Sequence, residues 1–188
     1  MDKVTKAIEF AAKAHDGMCR KKDKTPYILH PLEAAVIVGT MTDDQEIISA
    51  AVLHDVVEDT GITIEEIEEN FGTRIRRLVE SETEDKRADL PPEDTWRIRK
   101  EESLNELKNN KDVAVQMLWL GDKLANMRSF YRMKRKEGEG MWQSFNQKDP
   151  EQQFWYYSTI AELTASLKNS SAWQEYYELV KIVFERNF

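Results

Sequence analysis

The stretch AVLHDVVEDTG, from Ala51 to Gly61, places four ionisable side chains at the end of an apolar segment. The apolar residues around its start recur at helical spacing: Ile47, Ile48, Ala51 and Val52. We therefore expect a buried helix that ends here. Glu58 would then lie one turn beyond His54. Asp59 would likewise lie one turn beyond Asp55. Glu58 and Asp59 would then form a layer of carboxylates one turn after the layer of His54 and Asp55. Taken alone, such an acidic helix end is more often a solvated surface than a functional site.

The composition is that of a globular protein. The chain has 188 residues, of which 40% are hydrophobic and 33% charged, so we expect one domain spanning 1–188 with a buried core. No apolar run approaches the roughly 20 residues of a membrane-spanning helix, and the N-terminus lacks the apolar core of a secretory signal. Cys19 is the only cysteine, which excludes an internal disulfide. These features predict a cytoplasmic protein without a membrane partner.

The net charge of -8 disfavours nucleic acid and acidic membranes as partners, because both are polyanions. The basic residues are nevertheless clustered, between positions 20 and 24 and between 123 and 136. A small polyanion therefore remains a possible ligand.

The rest of the chain is predicted to be mostly helical. The predicted segments are an opening helix ending near Gly17, a second with Pro31 in its first turn, and further helices at about 73–82, 95–107, 112–136, 150–167 and 171–188. Thr42 with Gln45, and Thr63 with Glu66, have the spacing of reciprocal N-terminal caps. No run alternates strictly between apolar and polar residues, so the expected fold class is all-α.

Charged residues and two prolines fill 84–94, which we expect to be a mobile surface loop. The basic residues that follow it are Arg97, Arg99 and Lys100. They are expected on an exposed helix face, and binding of a phosphate is the alternative.

Two other stretches favour a functional site. PYILHP places His30 directly before Pro31, and WLGDKLANMR places Asp122 and Asn126 one turn apart in an apolar segment. A lone buried carboxylate is costly, so Asp122 needs a partner. A cation is one answer, while a buried lysine or a helix break at Gly121 is the structural alternative.

The candidate ligands are two imidazoles and two carboxylates, a mixed set that suits Mn²⁺, Fe²⁺ or Zn²⁺ at a catalytic centre. Such an ion acidifies water and polarises a phosphoryl oxygen. Glu58 and Asp59 could then orient or deprotonate the water and protonate a leaving group.

These motifs resemble those of the HD-domain metal-dependent phosphohydrolases, specifically the small alarmone hydrolase branch that is similar to the Rel/SpoT hydrolase domain. The matching segments are HDGMCRKKDKTPYILHP, AAVLHDVVEDTGITIEEIEENFG and GDKLANMRS, in the family's order. The resemblance covers about the first 130 residues and implies a helical bundle with its metal site between helices. Beyond Met141 it fades, and the aromatic residues there are expected to pack in the core.

The resemblance also implies residue roles. The implied metal ligands, usually for Mn²⁺, are His30, His54, Asp55 and Asp122. The implied water-activating pair is Glu58 and Asp59. Arg20 and Lys21 would lie beside the guanine base and phosphates, with a one-residue ambiguity toward Lys22, and Asn126 would contact the ribose. His15 and Asp16, a second His-Asp pair, are not among the implied ligands, and His15 is expected to pack in support of the site.

The implied reaction is hydrolysis of the 3′-pyrophosphate of ppGpp or pppGpp, which releases pyrophosphate and GDP or GTP. A phosphatase acting on NADPH or another phosphorylated nucleotide is the alternative enzyme. A non-catalytic nucleotide-binding module is a third hypothesis, disfavoured because the acidic pair and all the ligands are present. The sequence does not decide the oligomeric state.

Overall fold

The computed structural model describes residues 1–20, 24–87, 89–186 and 188. The α-helices, in chain order, are α1 (Lys3–Ala14), α2 (Leu29–Gly39), α3 (Gln45–Leu53), α4 (Val56–Asp59), α5 (Ile64–Phe71), α6 (Thr73–Glu80), α7 (Pro92–Asn109), α8 (Val113–Glu137), α9 (Pro150–Leu163) and α10 (Ser171–Phe184). Short 3-10 helices span Gly138–Ser144 and Ala165–Leu167. The part of the chain that is described holds no β-strand, only an isolated bridge between Cys19 and Pro26. The all-α prediction is confirmed.

Helix α8 runs through the centre of the bundle. It packs on α2 along one side, on α10 along another, and on α3 where the functional motifs meet. Its middle is almost completely buried, including Leu118, Trp119, Leu120 and Leu124. A polar residue placed here is therefore held by packing on several sides.

Gly121 lies inside α8 and does not break it, so the helix-break alternative for Asp122 is wrong. A Cβ on Gly121 would lie 2.6 Å from Cγ2 of Val38 and 3.0 Å from the carbonyl oxygen of Ala34. The absence of a side chain thus lets α2 approach α8 closely. This approach brings the start of α2, which carries His30, toward Asp122.

One of the two predicted caps is confirmed. Thr63 and Glu66 form the reciprocal pair at the start of α5. The prediction for Thr42 and Gln45 is wrong, because α3 begins at Gln45 and Asp44 caps it, accepting a hydrogen bond from Glu46 N at 2.9 Å. Gln45 is then the first helical residue, too early to reach back to the cap.

The segment predicted as a mobile loop is anchored at its start. The Glu84 side chain is only 10% exposed and accepts hydrogen bonds from Arg99, from Lys100 at 2.7 Å and from Ser103 at 3.2 Å. Arg99 is itself buried, so the expectation of an exposed basic face holds for Arg97 and fails for Arg99. The run of charges looked solvated in the sequence because its partners lie on α7.

Some of the aromatic residues after Met141 pack in the core as expected, while others, such as Phe154 and Trp155, are only partly buried. Trp142, Tyr156 and Tyr157 are buried, and Phe130 of α8 lies between Trp142, Phe145 and Tyr157 with ring centroids 4.7 to 5.8 Å apart. In the residues that the structure describes, no helix is both long and apolar enough to cross a membrane.

Candidate active site

The structure brings together the four predicted metal ligands. His30 lies at the start of α2, His54 and Asp55 in the turn between α3 and α4, and Asp122 in the middle of α8. Nε2 of His30 is 2.9 Å from Oδ1 of Asp122 and 3.6 Å from Oδ2 of Asp55. Nε2 of His54 is 3.2 Å from Oδ2 of Asp55 and 3.7 Å from Oδ1 of Asp122. Both imidazoles therefore face the same two carboxylates.

The orientation of His54 indicates what this cluster can bind. Its Nδ1 lies 2.8 Å from the carbonyl oxygen of Ala51, which can only accept, so Nδ1 carries the proton of the neutral ring. Nε2 then presents a lone pair, is buried, and makes no hydrogen bond. A lone pair and two carboxylates that converge in a buried space require a positive charge between them. A divalent cation fits this donor set, and ligand atoms of His30, His54 and Asp122 lie within 4.8 Å of one another.

The charges of the cluster are strongly coupled. Burial opposes protonation of His54, but the carboxylates of Asp55 and Asp122 outweigh it and raise its pKa well above the usual value, so a proton and a cation compete for Nε2. Burial likewise acts against ionisation of Asp122, yet Lys123 and the two imidazoles hold its pKa well below the usual range. The pKa of Asp55 is also lowered, with the nearby imidazoles overcoming the effect of burial. The cluster thus favours bound positive charge.

Both carboxylate oxygens of Asp122 have partners. Its Oδ1 faces His30 and accepts a hydrogen bond from Nδ2 of Asn126 at 2.8 Å. Its Oδ2 accepts from the ammonium of Lys123. The lysine alternative is therefore correct for one oxygen, while the other is directed at the imidazoles.

Lys123 also joins Asp122 to Glu82, a residue that the sequence did not single out. Oε1 of Glu82 lies 3.4 Å from the Lys123 ammonium, and Oε2 is buried without a hydrogen-bond partner. Burial raises the pKa of Glu82 to about 7, although the charge of Lys123 opposes the rise. No motif pointed to this residue, because the side chain that approaches it, Lys123, lies on α8.

The predicted acidic pair, Glu58 and Asp59, lies beside the cluster on α4. The one-turn relation to Asp55 holds for Asp59, whose backbone N–H donates to the Asp55 carbonyl at 2.9 Å. The ammonium of Lys86 contacts both acidic side chains. Burial, followed by the charge of Asp55, raises the pKa of Glu58, and this brings the group closer to the range in which a carboxylate exchanges protons.

Tyr27 lines the same cavity as the predicted ligands and contacts one of them. Its hydroxyl donates a hydrogen bond to Oδ2 of Asp55 at 2.7 Å, and its ring stacks on His15 with centroids 5.1 Å apart. Burial, with the charges of Asp55 and Asp59, raises the pKa of Tyr27, so the hydroxyl keeps its proton. His15 packs as expected, with Nδ1 3.0 Å from the Ala11 carbonyl. The sequence signal for Tyr27 was its place three residues before His30.

The ligand cluster lines a cavity of about 180 Å³. Arg20 and Asn126, two of the predicted substrate-binding residues, also line it, and Arg20 donates to Oγ of Ser129 at 3.3 Å. Lys21 lies outside the described residues. Lys100 was expected to be exposed, yet it lines this cavity and an adjoining one of about 220 Å³. The cavity therefore combines a cluster that attracts cations with positive side chains that attract anions.

The chain is similar in sequence to known proteins. The family model described as the HD domain matches residues 7–148. The chain is 40% identical over 133 residues to the Xenopus tropicalis protein named guanosine-3′,5′-bis(diphosphate) 3′-pyrophosphohydrolase MESH1, covering 69% of this chain and 70% of that one. It is 37% identical over 139 residues to an Aquifex aeolicus protein with the same enzyme name, covering 72% of this chain but only 19% of the longer relative.

Solved structures agree with the fold. A protein from Listeria monocytogenes EGD-e superposes with a TM-score of 0.73 at 30% identity, over 84% of this chain and 99% of that chain. A metazoan ortholog of SpoT that hydrolyses ppGpp superposes with a TM-score of 0.72 over 98% of this chain and 95% of its own. Because that second pair is only 23% identical, it supports the fold alone.

Proposed function

The chain belongs to the HD-domain family, and from this premise we propose that it is a metal-dependent hydrolase of the 3′-pyrophosphate of ppGpp or pppGpp. The observation that carries the proposal is the buried Nε2 of His54, which faces the carboxylates of Asp55 and Asp122 beside the acidic pair of α4. The names of the Xenopus and Aquifex relatives supply the substrate class. The whole chain, 1–188, acts as one domain in this proposal.

The proposed metal ligands are His30, His54, Asp55 and Asp122, and the proposed ion is Mn²⁺ or another divalent metal. A divalent ion held there supplies Lewis acidity, which lowers the pKa of water and polarises a phosphoryl oxygen. The hydrogen bond from His54 to Ala51 orients one ligand, and the one from Tyr27 to Asp55 orients another.

In the proposed reaction water attacks the inner phosphorus of the 3′-pyrophosphate, and the bond between that phosphorus and the ribose 3′-oxygen breaks. Glu58 accepts a proton from the water, because its carboxylate lines the cavity beside the ligands. The ribose 3′-oxygen leaves with that proton, which Asp59 is proposed to relay from Glu58. The products are pyrophosphate and GDP or GTP, so atoms and charge balance.

Substrate binding is assigned to positive side chains and one amide. Arg20 and Lys21 are proposed to bind the base and phosphates, and Asn126 the ribose. The net charge of -8 repels a polyanionic nucleotide at long range, so local cations have to supply the attraction. Lys100 adds a further positive group at the cavity wall.

The test is pyrophosphate release by purified, metal-depleted protein reloaded separately with Mn²⁺, Mg²⁺, Zn²⁺ or Fe²⁺. We expect metal-dependent release from ppGpp and pppGpp, and none from an Asp55→Ala variant that remains folded. Turnover of NADPH above that of ppGpp would identify the alternative phosphatase. Nucleotide binding without turnover under every metal would identify a binding module and refute the proposal.

A further inference from the structure

We propose that Glu84 and Lys86 are positioning residues, which hold the carboxylate of Glu58 in the orientation needed to accept a proton. The inference rests on the proposed function, in which Glu58 is that proton acceptor. It concerns the segment after α6, which the sequence presented as a solvated loop.

The contacts on Glu58 are made at both carboxylate oxygens. The backbone N–H of Glu84 donates to Oε2 at 3.3 Å, and the Lys86 ammonium lies 3.3 Å from Oε1. The same ammonium donates to the backbone carbonyl of Glu58 at 3.1 Å. The terminal torsion of a glutamate is broad and soft, so an isolated carboxylate would rotate. A donor at each oxygen restricts that rotation.

The segment that provides these donors is itself braced. The Glu84 carboxylate accepts from Arg99, Lys100 and Ser103, all on α7. Burial disfavours its charge, but Lys100 and Arg99 outweigh burial and lower the pKa of Glu84. A carboxylate with these donors, 10% exposed, has little freedom to move. Helix α7 therefore fixes Glu84, and Glu84 together with Lys86 fixes Glu58.

Lys86 brings a positive charge to the acidic pair in addition to orienting Glu58. Its ammonium also binds the carboxylate of Asp59, so one cation links the two acidic side chains of α4. Lys86 is 43% exposed, and ion pairs this exposed contribute little to stability. A role in stability alone does not account for the three oxygens that converge on this ammonium, whereas positioning of the acidic pair does.

The charged groups that face Glu58 are Asp55 from the turn before α4, Glu84 and Lys86 from the segment after α6, and Lys100 from α7. The two lysines favour the ionised form of Glu58, while Asp55 and Glu84 disfavour it. Removing the Lys86 charge must therefore raise the pKa of Glu58. If ionised Glu58 accepts the proton, the acid limb of the plot of kcat against pH moves to higher pH when the Lys86 charge is removed.

The experiment compares Lys86→Met, Lys86→Arg and Glu84→Gln with the parent, and with Lys168→Met as a matched control on the exposed surface. For Lys86→Met we expect kcat to fall roughly 10- to 100-fold, since small misplacements of catalytic groups cost up to about 10²-fold. KM and Mn²⁺ affinity should stay within about twofold, and the acid limb should move to higher pH.

Lys86→Arg should restore most of kcat, and Glu84→Gln should lower kcat with unaltered metal binding. Parent-like kcat and pH profile in Lys86→Met would overturn the inference.

A second measurement does not depend on turnover. NMR titration of ¹³C-labelled glutamate carboxyls, with the Glu58 signal assigned from a Glu58→Gln spectrum, reports the pKa of Glu58 in the parent and in Lys86→Met. A higher pKa in the variant supports the inference, and an unchanged one overturns it. If the parent hydrolyses no nucleotide while this pKa still shifts, the proposed function has failed but the contact of Lys86 with Glu58 stands.

Discussion

Nδ1 of His54 donates its proton to the carbonyl oxygen of Ala51, three residues earlier on α3. This one bond fixes both the ring orientation and the tautomer, so that Nε2 faces Asp55 and Asp122. The helix that carries the ligand thus also orients it. The cluster is prepared for a cation by local backbone geometry before any ion binds.

Asp122→Asn should therefore weaken divalent-metal binding without unfolding the chain. The amide has the same shape but no charge, so the cluster loses half of its carboxylate charge. We expect Mn²⁺ affinity to fall by at least the roughly 10- to 100-fold that loss of an outer partner costs. Isothermal titration calorimetry measures this directly, and Asp43→Asn, at an exposed position, is the matched control. Equal Mn²⁺ affinity in the Asp122 variant and the parent would show that the cluster is not the metal site.

Tyr27→Phe tests the hydrogen bond from Tyr27 to Asp55. The phenylalanine keeps the ring that stacks on His15 but removes the hydroxyl that donates to Asp55 at 2.7 Å. We expect Mn²⁺ affinity or kcat to fall about 10-fold or more, the range for partners that orient a ligand. Tyr131→Phe, on the outer part of α8, should leave both unchanged. A Tyr27→Phe variant with the parent's affinity and kcat would mean that Asp55 is oriented without this bond.

Gly121→Ala tests the close approach of α2 to α8. Alanine is favoured over glycine in a helix by about 1 kcal/mol. Its Cβ would nevertheless meet the Ala34 carbonyl at 3.0 Å and Val38 Cγ2 at 2.6 Å, and overpacking of this kind costs about 1–3 kcal/mol. Because the Ala34 contact is with backbone, we expect the clash to prevail and Tm to fall by several degrees.

The control for this substitution is Gly39→Ala, where the nearest neighbour of a new Cβ is Cδ1 of Ile48 at 4.0 Å. Thermal denaturation should show little or no loss of Tm for that variant. A Gly121→Ala variant as stable as the parent would mean that α2 can move away from α8 at low cost.

The parts of the site that could be predicted from the sequence are those with local chemical signals. His30, His54, Asp55 and Asp122 occur in short motifs on helices, and helical spacing with apolar flanks is enough to place them near a common core. Their convergence depends on the packing of α2, α3 and α8, which the apolar pattern also encodes.

The parts that could not be predicted depend on partners far away in the chain. Glu84 looked solvated among other charges, but donors on α7 make it a buried anchor. Glu82 has no local signal, because Lys123 of α8 is what approaches it. The sequence suggested a helix break at Gly121, because the close approach of α2 that requires this glycine leaves no local signal.

Glu82 also gives the metal-free protein a specific pH dependence. Its pKa is about 7 in the folded chain against 4.5 for an ordinary glutamate, because burial disfavours the charge. The folded state therefore keeps a proton that the unfolded state releases, so stability is lost as pH rises from about 4.5 to about 7. The effect is on the order of 3 kcal/mol at most. Urea denaturation of metal-free protein between pH 5 and pH 8 should show a smaller decline for Glu82→Gln than for the parent, with exposed Glu162→Gln behaving like the parent. Identical pH slopes for parent and Glu82→Gln would mean that Glu82 is ionised in the folded chain throughout this range.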